Sequence, residues 1–180
     1  MKKDLHSVVE VPSGVVVSRD GMLLKVKGAK GEVSRLMDAP SIIVDISSQS
    51  ITLSRAKSTK REKSKMFSLR AHMKNMIRFV QSPAVYKLKI CSSHFPVSVT
   101  VQKGVLSMKN FIGEKVPRVL PIPQGVDVRV DGDSVTVTSH DGELAGRTAG
   151  LIEKLSVVRE KDRRIFQDGI YITEKNGEAV

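Results

Sequence analysis

Tryptophan is absent from this 180-residue chain, cysteine occurs once, and the aromatics are two tyrosines and five phenylalanines. The single thiol, Cys91, excludes an intramolecular disulfide and fits a reducing compartment. Aromatics this few, scattered and mostly at core periodicity, argue against the base-stacking platforms of single-strand binders and favour backbone or shape recognition of structured RNA. Phe111 is the one aromatic to watch. No stretch approaches the roughly 18 apolar residues of a membrane span, and Met1-Lys2-Lys3-Asp4 leads into mixed polar sequence with no apolar signal core. The chain therefore reads as soluble and cytoplasmic, with no membrane partner. Paired metal-ligand spacing such as Cys-x-x-Cys is missing, and His72 and His94 fall in different halves, so no metal, cofactor, small-molecule substrate or catalytic residue is indicated.

Acidic residues are nearly missing from one window. Between Arg55 and Arg78 stand nine of the thirty basic residues but only one of the nineteen acids, Glu62, in a chain of net charge +11 and pI near 9.9. A local excess of this kind points to a polyanion. Large apolar residues enter the run only at Met66 and Phe67, whereas a membrane-surface helix needs an apolar face beside its charges. Nucleic acid is the better partner.

The remainder reads as one small unit written twice. Gly21, Leu23, Val33 and Arg35 recur as Gly104, Leu106, Val116 and Arg118 at an offset of 83, and Ser50-Ile51-Thr52-Leu53 recurs as Ser134-Val135-Thr136-Val137 at 84. At an offset of 75, Leu69, Met73, Met76, Ile77 and Val80 recur as Leu144, Thr148, Leu151, Ile152 and Leu155, one face of a helix in each copy, with Thr148 the polar exception. The first copy holds 9 extra residues between its last strand and its helix, and the basic run lies there.

Period-2 alternation predicts strands over 8–11, 15–18, 22–27, 42–46, 50–54 and 85–91 around a helix over 66–81 ended by Ser82-Pro83. In the second copy it predicts strands over 97–101, 105–109, 119–122, 126–130 and 134–138, a helix from Gly142 to about Val157, and a charged tail from Arg159. The fold class is α+β, two tandem copies of a small antiparallel sheet with one packed helix, with domains over 1–82 and 83–180.

The residues themselves thus place RNA contact on a basic loop, Arg55, Lys57, Lys60, Arg61, Lys63 and Lys65, and on a helix stripe at i, i+4, i+8, Arg70, Lys74 and Arg78. The second copy has Ala145, Ala149 and Glu153 at the stripe positions. Gly28-Ala29-Lys30-Gly31 lacks the Gly-Lys-Ser/Thr ending and following helix of a phosphate-binding loop, and reads as a hairpin turn.

Three segments carry a family resemblance. Arg70-Ala71-His72-Met73-Lys74-Asn75-Met76-Ile77, Asn110-Phe111-Ile112-Gly113-Glu114-Lys115 and Arg164-Ile165-Phe166-Gln167-Asp168-Gly169-Ile170-Tyr171 resemble motifs of the archaeal and eukaryotic form of large-subunit ribosomal protein L-six, over nearly the whole chain. His94-Phe95-Pro96 is similar to that family's entry into its second domain. The resemblance implies two repeated α/β domains, a structural role without catalysis, and binding to large-subunit rRNA near the sarcin–ricin loop and elongation-factor site, beside neighbouring ribosomal proteins. It also shifts weight to the second domain and tail, adding Lys154, Arg159, Lys161, Arg163 and Arg164 to the RNA-binding candidates. Two other classes compete with it: an RNA-processing or modifying enzyme using His72 or His94, and a scaffold that binds only protein.

Overall fold

The computed structural model describes residues 3–47, 49–162 and 164–180. The chain folds as two compact units, residues 1–83 and 84–180.

In unit 1, β1 (Lys3–Glu10), β5 (Ile43–Ile46) and β6 (Ser50–Ser58) form an antiparallel sheet in the order β1-β6-β5, and β2 (Val16–Asp20), β3 (Leu23–Lys27) and β4 (Glu32–Leu36) form a second in the order β2-β3-β4. Helix α1 (Lys60–Gln81) covers both, burying Met66, Leu69, Met73, Met76, Ile77 and Val80 against Val9, Leu24, Val26, Ile51 and Leu53. Each such side chain contributes roughly 1.5–3 kcal/mol on leaving water.

Unit 2 repeats this order. β7 (Ala84–Cys91), β12 (Ser134–Ser139) and β11 (Val126–Asp131) stand as β1, β6 and β5 do, and β8 (Ser98–Gln102), β9 (Val105–Lys109) and β10 (Arg118–Pro121) form the second sheet. Helix α2 (Gly142–Leu155) closes the core. The polar exception Thr148 is fully buried, because its hydroxyl donates to the Leu144 carbonyl one turn earlier at 2.8 Å. Unit 2 then adds β13 (Gly169–Lys175) and β14 (Glu178–Ala179), giving the order β11-β12-β7-β13-β14.

The structure departs from the sequence reading in four places. Residues 55–65 are not a loop: β6 runs on to Ser58, and α1 starts at Lys60, six residues before the first apolar helix position. The extra residues lengthen a strand and a helix, so α1 has 22 residues against 14 in α2. β1 begins at Lys3 rather than Val8, and β4 adds a strand over Glu32–Leu36. The closing segment is no tail, since β13 pairs along β7 from Gly169↔Cys91 to Lys175↔Tyr86. The segment 28–31 is the hairpin turn expected of it, closed by the Gly28 amide on the Gly31 carbonyl at 3.0 Å.

Candidate nucleic-acid interface

Thr59 starts α1 with a capping box. Its amide donates to Glu62 Oε2 at 2.8 Å, and the Glu62 amide donates to the Thr59 hydroxyl at 3.4 Å, satisfying donors that the first turn leaves open. The Arg55 guanidinium reaches across from β6 to Glu62 Oε1 at 2.9 Å. The Thr59 amide and hydroxyl, then Arg55, hold the Glu62 carboxyl below the usual carboxylate range. The only acid of the basic segment is thus engaged internally, together with Arg55.

That leaves Lys57, Lys60, Arg61, Lys63 and Lys65, all exposed, with no carboxylate paired to any of them among the described residues. Lys57 sits where β6 bulges against β1, its backbone left-handed at φ 50° and its amide bonded to the Asp4 carboxylate at 2.7 Å. Lys60, Arg61 and Lys63 occupy the first turn of α1, where the helix dipole is positive and each cation costs about 0.3–1 kcal/mol. The placement weakens the helix and concentrates positive potential, the combination an anion-binding surface requires. Lys63 also lies over the exposed Phe67 ring, 5.9 Å from its centroid.

The stripe Arg70, Lys74, Arg78 has a different setting. It lines a groove of about 450 Å³ shared with Val8, Val9 and Glu10 of β1. Lys74 and Arg78 are exposed, while the Arg70 Nε is buried and meets no hydrogen-bond partner among the described residues.

In unit 2, Lys154 and Arg159 are exposed and border a groove with Arg118, Leu120, Leu151 and Leu155. Lys161 lies over the Phe166 ring at 4.6 Å, and Arg164 is bound to Asp162 at 2.7 Å, which lowers the Asp162 carboxyl and raises the Arg164 guanidinium. Arg163 lies outside the described residues. The repeated arginine has a role that charge counting did not disclose: Arg118 donates to the Leu155 and Val157 carbonyls at the end of α2 at 2.7 and 3.1 Å and stacks on Phe111, while Arg35 reaches His72 of α1 at 3.2 Å. In both units this position ties the third strand of the small sheet to the helix. Phe111 is 1 % exposed and belongs to the core, so it offers no stacking surface.

The geometry of the histidines does not serve nucleophilic catalysis. A guanidinium can only donate, so the Arg35 contact makes the His72 Nε2 an acceptor. Ser93, His94 and Asp168 do come together, but the Ser93 hydroxyl and the Asp168 carboxylate both meet the same ring nitrogen, Nδ1. A relay needs the two on opposite nitrogens. Asp168 is 2 % exposed; burial would raise its pKa, but the Ser93 amide and then the His94 ring and amide outweigh it and hold it at about 2. This cluster fastens the segment after β7 to the start of β13, with His94 stacked on Phe166 at 4.6 Å. Among the described residues no three His, Cys, Asp or Glu side chains are grouped to hold a metal, and no helix is long and apolar enough to cross a membrane.

The sequence profile of the family Ribosomal protein L6 matches residues 11–82 and 95–169. Similar curated proteins include the large ribosomal subunit protein uL6 of Aeropyrum pernix, 43 % identical over 178 residues, covering 97 % of this chain and 98 % of that protein. The protein of the same name from Methanospirillum hungatei is 41 % identical over 172 residues, covering 96 % and 98 %, and that of Nanoarchaeum equitans is 38 % identical over 180 residues, covering 96 % and 94 %.

Proposed function

The chain belongs to the ribosomal protein L6 family and, as such, is a structural constituent of the large ribosomal subunit in the cytoplasm and not an enzyme; from that premise we propose that it binds large-subunit rRNA through the amino-terminal end of α1. One observation carries this reading: five exposed cations, Lys57, Lys60, Arg61, Lys63 and Lys65, with the one acid of their own segment, Glu62, already occupied by Thr59 and Arg55. Three of the five stand where a helix is least able to tolerate positive charge, so their position is explained by an anion they meet and not by the fold they weaken. Unit 2 supplies a second contact through Lys154, Arg159 and Lys161, with Arg164 contributing once its pairing with Asp162 opens. The family resemblance supports a location near the sarcin–ricin loop and elongation-factor site.

The test is salt-dependent binding of the full chain to a large-subunit rRNA fragment containing that loop. Replacing all five unit 1 cations by glutamine should lower the slope of log affinity against log salt by up to ~0.9 for each phosphate that is no longer neutralised. An unchanged slope for this variant, beside a collapsed slope for a variant at Lys154, Arg159, Lys161 and Arg164, would move the interface wholly to unit 2. Unchanged slopes for both would overturn the assignment.

A further inference from the structure

The internal duplication exposes a place in unit 1 that unit 2 fills with its own chain. The register Ile51↔Val9 corresponds to Val135↔Leu88, so β1 is the counterpart of β7, with Val8 standing for Lys87 and Glu10 for Lys89. β7 has strands on both sides, β12 and β13, whereas among the described residues β1 has only β6 and forms the edge of its sheet.

The direction of the β1 backbone groups follows from one bond. The Val11 amide donates to the Gln49 carbonyl, which continues the pairing of Val9 with Ile51 two residues on. Bonded pairs alternate along an antiparallel ladder, so Ser7, Val9 and Val11 face β6, and His6, Val8 and Glu10 turn their N–H and C=O groups outward. In β7 the equivalent outward residues, Lys87 and Lys89, face β13. Among the described residues nothing pairs with the outward groups of β1. An eight-residue open edge of this kind is a template for another strand.

The helix beside that edge shows which strand. In unit 2, α2 presents the fully buried Ala145 and Ala149 and the half-buried Glu153 there, and β13 seats apolar Ile170 and Ile172 against the helix, its Ile170 amide bonded to the Ser156 hydroxyl at 2.8 Å and its Ile172 amide to the Glu153 carboxylate at 3.3 Å. In unit 1 the corresponding side chains are Arg70, Lys74 and Arg78, lining the groove with a buried, unsatisfied Arg70 Nε. We propose that the open edge of β1 and this cationic groove form a docking site for an extended acidic segment of another polypeptide, laid antiparallel to β1 where unit 2 lays β13.

The backbone favours a peptide over RNA at this place. Phosphates accept hydrogen bonds but do not donate, so they would pair only the N–H half of the edge. A peptide strand pairs both halves, and its alternate side chains meet the helix while the others face away. The rRNA contact proposed for Lys57 to Lys65 is left untouched, and each can fail without the other.

The probe is a synthetic peptide with the sequence of residues 168–175 carrying the changes I170E and I172E, added to the full chain and followed by amide hydrogen exchange. At ten times its Kd the peptide should slow exchange at His6, Val8 and Glu10 about tenfold. Val8→Pro removes one outward donor at an edge position that tolerates proline, and the pair K74E and R78E reverses the groove; each should weaken the peptide tenfold or more. Unchanged exchange of the Leu24 and Val26 amides certifies that the variants are folded. The proposal is overturned by a peptide that leaves His6, Val8 and Glu10 unprotected, by binding undiminished in both variants, or by an rRNA fragment that protects the same amides and displaces the peptide.

Discussion

The Thr59 amide meets the Glu62 carboxylate at 2.8 Å, and the Glu62 amide returns to the Thr59 hydroxyl at 3.4 Å. This reciprocal pair fixes where α1 begins and therefore where Lys60, Arg61, Lys63 and Lys65 point. Thr59→Ala should cost about 0.5–2 kcal/mol of unit 1 stability, the range for losing an N-cap hydroxyl. Denaturant unfolding measures that loss. Amide exchange over residues 60–63 should rise with it, and rRNA affinity should fall although no cation is removed. Full affinity with a frayed first turn would show that the cations need no fixed helix.

Asp168 makes the stability of unit 2 depend on pH. Its folded-state pKa of about 2 lies below the ordinary 3.8, so its contribution is complete at neutral pH, begins to fall as the pH drops through about 4, and is gone below 2. A difference of this size corresponds to roughly 2 kcal/mol. Asp168→Asn should be less stable than the parent by that order at pH 6, and the gap should close as the pH approaches 2. Urea unfolding across this range checks it. A gap independent of pH would mean that the Ser93 and His94 bonds matter by geometry and not by charge.

Gly28 is held by close approach, not by an unusual backbone angle. A Cβ there would stand 2.2 Å from the Val80 Cγ1 and 3.3 Å from the Val80 carbonyl oxygen. Val80 is completely buried and β-branched, so it cannot swing aside. Gly28→Ala should therefore destabilise unit 1 by about 1–3 kcal/mol, as overpacking does, with no effect on the salt dependence of RNA binding. A neutral result would show that the 28–31 turn can lift off the end of α1.

These sites also show what the sequence disclosed. The apolar stripes of both helices were legible because burial enforces the 3.6-residue period, and the duplication because Ser50 to Leu53 and Ser134 to Val137 fill the same central strand. The first turns of α1 read as a loop because no apolar residue before Met66 keeps that period. The signal that could have revealed them was local: Thr59 followed three residues later by Glu62. β4 lacks a clear alternation because Val33 is its only buried residue, and its other apolar residue, Leu36, is exposed. The pairing of β13 with β7 joins residues about 80 apart, which no local pattern encodes. The holding roles of Arg35 and Arg118 likewise depend on partners far along the chain, although their equivalent positions in the repeat marked them as a pair.

The matched helix positions Ile77 and Ile152 provide a test of two separate cores. Ile77 is 6 % exposed within the cluster of Val9, Leu24 and Leu53, and Ile152 is fully buried within that of Leu88, Val137 and Ile170. Truncation removes the transfer energy of the deleted carbons and leaves a cavity, so each change to alanine should cost about 2–5 kcal/mol. The two effects should appear in different places. With the Tyr86 and Tyr171 fluorescence reporting unit 2 alone, Ile152→Ala should shift the tyrosine-detected transition, and Ile77→Ala should leave it unmoved while lowering the far-UV circular dichroism transition of α1. If Ile77→Ala shifts the tyrosine signal as far as Ile152→Ala does, the units unfold as one cooperative body, and the duplicated helices stabilise a shared fold instead of two.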